Sequence, residues 1–483
     1  MESGVKKKIP VITPFINFFK NFHKRFKEGS LGTKLSHFIM GSGNFYHKQY
    51  IKGAIYLLLQ IGFILFMVLC PVVKSSSDIP LGYKAIVNLK DLGKTDGFLD
   101  PILDVAANGV LMLLFGVITI GIICVYIVAW MSSIKSSYKA DLDVKDGKEP
   151  TTFKTDLKAL LDDKFHILML TPTCLAALIF TILPTIFMVL IAFTDYNTTS
   201  TSISWTGISG FFSEFRNGEI ADYFLPVLSW TFIWAVVATF TNYFGGILLA
   251  LLINKKEIKF KKVWRTIFIL TIAIPQFISL LAVAKILSPY GPFNGLLTNL
   301  HKWTNGLIGL EKPMEFLGGG TAIEGAAYNT APTYVVKIVI IIVNLWVGIP
   351  YTMLQTSGIL MNIPSDLYEA ATIDGANKRQ MFFKITLPYI IFVTTPYLIG
   401  SFVGNINSFN IIFFLTGGNP LYEGSSLTGQ TDLLVTWLYR LTIENDKYNL
   451  GSIIGILTFM VTSAITLVTY RRSKAYKEED TFQ

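Results

Sequence analysis

The stretch DLYEAATIDGANKRQMFFKITLP, Asp366–Pro388, sits between two long apolar runs and carries the information that organises the rest of the chain. Ser365 or Asp366 can cap a short helix running through Ala371, because a side-chain oxygen at that position accepts from free N–H groups of the first turn. Gly375 permits a turn that a side chain would obstruct. A second helix is expected to begin before Pro388 and to continue into the next apolar run. The segment therefore reads as a small helix-turn-helix knob standing on two hydrophobic supports.

Those supports, at about 334–358 and 389–414, are two of eight such runs. The others fall at about 53–73, 109–131, 166–193, 224–253, 266–288 and 450–470. Each is long enough, or nearly so, to cross a bilayer core of about 30 Å as a helix. Only helices or closed barrels keep every backbone group bonded in lipid, and continuous apolar runs exclude a barrel. With 52% hydrophobic and 15% charged residues, the chain is expected to be an all-α membrane protein of about eight transmembrane helices.

Basic loops stay in the cytoplasm. The two termini and the loops on their side carry 29 Lys and Arg, against 9 on the opposite side. Both termini are thus expected inside, and the knob with them. The expected organisation is a cytoplasmic basic segment (1–50), two spans with a cytoplasmic loop (51–165), a third span with a short external loop (166–223), a core of five spans (224–471) and a tail (472–483). The net charge of +9 follows from the loop asymmetry, so no nucleic-acid partner is expected. Within 14–27, Phe15, Phe18, Phe19, Phe22 and Phe26 alternate with Lys20, Lys24, Arg25 and Lys27. This pattern suits an amphipathic helix lying on anionic lipid, or a plain topology anchor for span 1. A basic region of about 50 residues before a full-length first run argues against a cleaved signal.

Missing chemistry narrows the class. His23, His37, His47, His166 and His301 lack metal-ligand spacing, and Cys70, Cys124 and Cys174 are isolated, so neither a metal site nor a disulfide is expected. Gly93-Lys94-Thr95 lacks the upstream glycine of a phosphate loop, since Asn88 stands there. None of the eight runs contains Asp or Glu, the groups on which ion-coupled carriers depend. Lys285, near the end of span 5, can extend to the interface. A solute path is present without a means of powering it.

The knob resembles a known pattern. Glu369-Ala370-Ala371, three residues, Gly375, nine residues, then Ile385-x-Leu387-Pro388 matches every fixed position of the E-A-A-x3-G-x9-I-x-L-P loop of importer permeases in the ATP-binding cassette class. The run Asn405–Pro420 and the run Thr431–Leu441 are similar to the MalF-type permeases of maltose and maltodextrin importers, most clearly from span 4 onward. The resemblance implies a type I ABC importer permease fold. In it Glu369, Ala370, Ala371, Gly375, Ile385, Leu387 and Pro388, within 365–388, form a coupling helix seated in an ATPase subunit. It further implies a second, MalG-like permease, two ATPase subunits that bind ATP and Mg, an extracellular sugar-binding protein, and no cofactor in this chain. Relatives from double-membraned bacteria carry a large external domain after span 3, where this chain has only residues 194–223; a single-membraned host is implied.

Oligosaccharides need amides, hydroxyls and aromatic faces rather than full charges. Asn344, Gly348 and Tyr351 in span 6, and Ser401, Asn405 and Ser408 in span 7, are each spaced i, i+4, i+7, placing each trio on one helical face. The two faces would meet around a cavity at mid-membrane, and the MalF-type resemblance implies sugar contact at these positions. Ser408 departs from the Asn expected there. The same residues also suit interhelical contact worth roughly 0.6 kcal/mol each. Gly417-Gly418-Asn419-Pro420 reads as an external turn. The expected function is ATP-driven import of malto-oligosaccharide. Its alternatives are another neutral oligosaccharide or polyol as cargo, and an autonomous ion-coupled carrier. No residues suit a membrane enzyme.

Overall fold

Proline accounts for several of the places where the apolar runs depart from straight helices. The structure, a computed structural model, describes residues 12–69, 81–90, 92, 105–196, 203–255, 257–318 and 328–472. Among them, seven helical segments are long and apolar enough to cross a membrane: Tyr50–Leu69, Gly109–Lys145, Phe165–Ile191, Glu219–Asn254, Thr333–Asn362, Lys378–Leu415 and Tyr448–Thr469. They are spans 1 to 4 and 6 to 8 of the sequence reading.

Span 5 was expected to be continuous over 266–288 and is not. Helix Lys261–Ala273 stops, and Gln276–Trp303 leaves it at 94°. Ile274, immediately before Pro275, is extended at φ −82°, ψ 130°. A residue preceding proline is pushed out of the helical region in this way. Span 7 is interrupted as well: the helix ends at Ile406, and a short helix, Phe409–Leu415, follows after Asn407 and Ser408.

Other prolines are absorbed instead of breaking the helix, two of them beside wide turns. Wide π-turns at Leu178–Ile182 and Phe382–Thr386 each end two residues before a proline, Pro184 and Pro388. Proline cannot donate to the carbonyl four residues back and its ring collides with it, and the wider turn relieves both.

The chain divides into two units, Met1–Trp205 and Thr206–Gln483. In the first unit a helix, Ile12–Glu28, precedes two one-turn helices, Leu31–Leu35 and Ser42–Tyr46, and span 1. Phe22 and Phe26 pack edge-on against His37, so part of the amphipathic face expected for 14–27 is used within the protein. The helix containing span 2 runs from Val105 to Lys145, 41 residues. At 1.5 Å per residue that is roughly 60 Å, twice a bilayer core. Phe63 of span 1 stacks on Tyr126 of span 2, with ring centroids 3.8 Å apart. Lys52 is buried and held by Asp156 and the Thr151 carbonyl. Cys124 and Cys174 are free thiols; Cys70, Gly93–Thr95 and 473–483 lie outside the described residues.

The second unit is built on span 4. Its Trp230, Trp234 and Ala238 form a core with Val336, Ile340 and Val343 of span 6 and Ile411 and Ile412 beyond the break in span 7. Further along, Tyr243 and Ile247 pack with Ile390 of span 7, and Ala250 and Ile253 with Met353 of span 6. Spans 4 and 6 approach closely because Gly246 and Gly348 stand at the crossing: a methyl added at Gly246 would lie 2.4 Å from Thr352 Cβ. Small residues at helix contacts allow this in membranes. At the end opposite the knob, Asn294 is buried and stitches the connections together. It donates to the Ser288 and Met314 carbonyls and accepts from Met314 N–H, beside a two-residue parallel pairing of Met314–Glu315 with Asn329–Thr330.

Candidate functional site

The knob is present, with a different start from the one expected. Span 6 ends at Asn362, Ile363 is extended before Pro364, and the helix is Ser365–Ile373, two residues longer than anticipated. Neither Ser365 nor Asp366 caps it. Pro364 occupies the cap position, and Ser365 Oγ donates to Asp366 Oδ1 at 3.3 Å. Asp366 instead places a carboxylate in the first turn, where the helix dipole favours negative charge. Glu369 and Ala370 are exposed and Ala371 half-buried.

Gly375 has φ +76°, with no heavy atom within 4 Å of where a Cβ would stand. The glycine is required by backbone conformation and not by crowding. Beyond it Asn377 and Gln380 form a reciprocal capping box: Gln380 N–H donates to Asn377 Oδ1 at 2.9 Å, and Asn377 N–H to Gln380 Oε1 at 2.8 Å. Ile385 lies in the π-turn, Leu387 and Pro388 start the straight part of span 7, and Ile385 and Leu387 are half-buried. One contact ties the two halves together. Tyr368 OH and Thr386 Oγ1 are 2.8 Å apart, and Thr386 is buried. Leu367 and Ile373, by contrast, are 46% and 87% exposed, leaving the knob with an apolar surface that nothing in the chain covers among the described residues.

The polar residues of spans 6 and 7 do not form two trios facing one another. Gly348 packs against span 4, and Asn344 stands one turn earlier on the same helical face. Asn344 is buried with its Nδ2 unpartnered, and a Cβ at Gly348 would lie 2.2 Å from Asn242 Nδ2. Asn405 Nδ2 donates to Thr239 Oγ1 at 2.9 Å. Thr239 and Asn242, three residues apart, share a face of span 4. Asn344, Gly348 and Asn405 are thus gathered around span 4, which the sequence reading had not included. Asn242 Oδ1 is also unpartnered. A buried polar group without a partner is costly, and both atoms are shut off from solvent.

Tyr351 is 47% exposed and Ser401 half-buried. Ser408 is no longer on the Ser401–Asn405 face, because the helix has ended; it stands at φ −73°, ψ 88° before Phe409. Toward the knob, Tyr351, Gln355, Gly358 and Asn362 continue at helical spacing. Gln355, Gly358 and Asn362 line an open groove of about 310 Å³ with Ile359, Val393, Thr394 and Tyr397. Tyr397 OH is 3.3 Å from Thr352 Oγ1, and Tyr243 OH 2.7 Å from Thr394 Oγ1, so hydroxyls from spans 4, 6 and 7 interlock behind it.

At the far end of span 7, Gly417 and Gly418 take positive φ and the Asn419–Pro420 bond is cis, giving the turn that was expected. A buried ion pair holds the following loop. Asp432 lies beside Arg440, whose guanidinium also donates to the Gly417 carbonyl. Gly429 N–H at 2.8 Å and Thr436 Oγ1 at 2.9 Å donate to the Asp432 carboxylate. Burial pushes this carboxyl up to about 6, against the opposing pull of Arg440 and the two donors.

Compared with known proteins, residues 242–474 match the family described as the binding-protein-dependent transport system inner membrane component. The chain is 32% identical over 448 residues to the maltodextrin transport system permease MalC of Streptococcus pneumoniae, covering 92% of this chain and 95% of that one. It belongs to this family. Another member, the galactooligosaccharides transport system permease GanP of Bacillus subtilis, is 29% identical, with 91% and 97% covered. MalF of Escherichia coli, the maltose/maltodextrin permease, is 34% identical over 273 residues, 56% of this chain and 49% of MalF. A chain in the crystal structure of a bacterial alginate ABC transporter in complex with an alginate pentasaccharide-bound periplasmic protein shares the fold, with a TM-score of 0.51, 24% identity and 66% of this chain covered against 97% of the other. As a member of the binding-protein-dependent permeases, the chain is a multi-pass transport subunit of a bacterial plasma membrane, with ATP hydrolysis residing in separate subunits.

Proposed function

We propose that this chain is one of two permease subunits of an ATP-driven importer of neutral oligosaccharides, with malto-oligosaccharide as cargo. A MalG-like second permease would complete the path, two ATPase subunits would bind ATP and Mg, and an extracellular receptor would deliver the sugar. The observation that carries this reading is the exposed knob. Its apolar Leu367 and Ile373 are uncovered, its turn is fixed by Gly375, and its outer helix is bonded to the base of span 7 through Tyr368 and Thr386. A partner that grips Glu369, Ala370 and Ala371 can therefore move span 7 directly. The loop asymmetry in Lys and Arg supports a cytoplasmic position for the knob and for both termini.

Within the path, Asn344 Nδ2 and Asn242 Oδ1, the side chain of Asn405 and the exposed Tyr351 would supply hydrogen bonds and an apolar ring without net charge. That chemistry suits a neutral sugar. Similarity to both MalC and GanP supports an oligosaccharide and favours the α-glucan only slightly.

The test is reconstitution with the partner subunits and receptor in proteoliposomes, comparing ATP-driven uptake of maltotriose and a galactotriose. Maltotriose uptake is expected, and its abolition by Glu369→Lys with the chain still inserted. Galactotriose uptake alone would change the cargo, and sugar accumulation by the isolated chain on an ion gradient would overturn the class.

A further inference from the structure

Residues 30–51, between the N-terminal helix and the body of span 1, are folded inside out. Thr33, Ser36 and Asn44 are fully buried, and His37 and Gln49 nearly so. They face polar groups on the long helix of span 2. Ser36 Oγ lies 2.9 Å from Ser137 Oγ, Gly41 N–H donates to Ser133 Oγ at 2.9 Å, and Asn44 Nδ2 to Ser136 Oγ at 3.0 Å. Asp141, also buried, accepts from Ser30 N–H at 2.8 Å and sits 2.5 Å from His47 Nε2.

The outside is apolar. Leu31 is 67% exposed, Phe38 71%, Tyr46 60% and Tyr50 63%, and Leu35 and Ile39 are exposed with them. A water-soluble element has the reverse arrangement, and apolar exposure this dense marks an interaction surface. The occupant is indicated by continuity and by charge. The same chain runs on into span 1, where Ile51, Ile55 and Leu58 are exposed on a helix long and apolar enough to cross a membrane. Lys24 and Lys27 of the preceding helix, and Lys48, are exposed beside it.

We propose that residues 30–51 lie within the bilayer leaflet on the basic-loop side, with Leu31, Leu35, Phe38, Ile39, Tyr46 and Tyr50 among acyl chains and Lys24, Lys27 and Lys48 against anionic headgroups. An interfacial element of this kind combines buried apolar area with attraction to negative lipid. The polar interior then stays dry, where its hydrogen bonds are strongest. This assignment is independent of the cargo, since it concerns the membrane alone.

The test is spin-label accessibility in the full assembled transporter, in vesicles containing phosphatidylglycerol. Cys70, Cys124 and Cys174 are replaced by Ser, and Phe38→Cys or Tyr46→Cys is labelled, with Ile55→Cys in span 1 and Lys148→Cys in an exposed loop as references. Collision with oxygen several-fold above that with a water-soluble nickel complex, as at Ile55, is expected at both sites. A nickel-dominated response like that of Lys148 would put the segment in water, and low collision with both reagents would mean that protein covers it; either overturns the proposal. Replacing phosphatidylglycerol with phosphatidylcholine should make both sites shallower in the wild-type background, and Lys24→Gln/Lys27→Gln/Lys48→Gln should remove that response. A depth indifferent to headgroup charge would overturn the role given to the lysines.

Discussion

At Gly375 backbone conformation and side-chain size can be separated. With φ at +76°, an L-residue there costs roughly 1–2 kcal/mol, more for a β-branched one and less for Asn. That energy is about a 5- to 30-fold loss in the population holding the turn. Space is not limiting, because no heavy atom comes within 4 Å of the added Cβ. Function should therefore follow Gly, then Asn, then Ala, then Val, although Asn is much larger than Ala and not far from Val in volume. The measurement is twofold: ATPase subunit co-purified per permease, and initial rate of ATP-driven sugar uptake in proteoliposomes. Val should lose about tenfold or more in both, and Asn should stay near wild type. If Ala outperforms Asn, or Val equals Asn, size governs and the conformational argument is refuted.

Tyr368→Phe removes the hydroxyl that reaches Thr386, a bond worth about 1 kcal/mol; insertion should be unchanged while sugar moved per ATP hydrolysed falls. At the crossing of spans 4 and 6, Gly348→Ala should lower stability by about 1–3 kcal/mol through overpacking, and Asn242→Ala in the same chain should restore most of it in thermal unfolding. Asn405→Leu should reduce uptake at limiting sugar without affecting assembly. Asp432 binds its proton more tightly in the folded loop, at about 6 against an ordinary 3.8, so the stability it lends is full below the lower value and lost as pH rises through the upper one. The loss is on the order of 3 kcal/mol, and Asp432→Asn should flatten the pH dependence of unfolding between pH 4 and 7.

The apolar runs and the knob were legible because length, glycine and proline are local signals. The break at Ile274–Pro275 used the same signal, but the proline lay inside a run of spanning length and was read through. Asn377-Lys378-Arg379-Gln380 carried a capping-box pattern, a sharper helix start than Ser365 or Asp366. Span 4's part in the polar centre was hidden because Thr239 and Asn242 stand inside a run long and apolar enough to span, and packing against Asn405 and Gly348 reveals them. The helical-wheel argument for Ser408 failed with the helix itself, which stops at Ile406. The reversed burial of 30–51 has no periodic signature, since its two helices are one turn each.

The Tyr368–Thr386 bond makes the mechanics of the knob lopsided. Its outer helix follows span 6 through the extended link Ile363–Pro364, and a hydrogen bond fastens it to span 7 across eighteen positions of sequence. A force applied there acts as on a crank keyed to one shaft and loosely pinned to the other. Span 7 should turn first, drawing Asn405 away from Thr239 on span 4 before the neighbouring helix has moved.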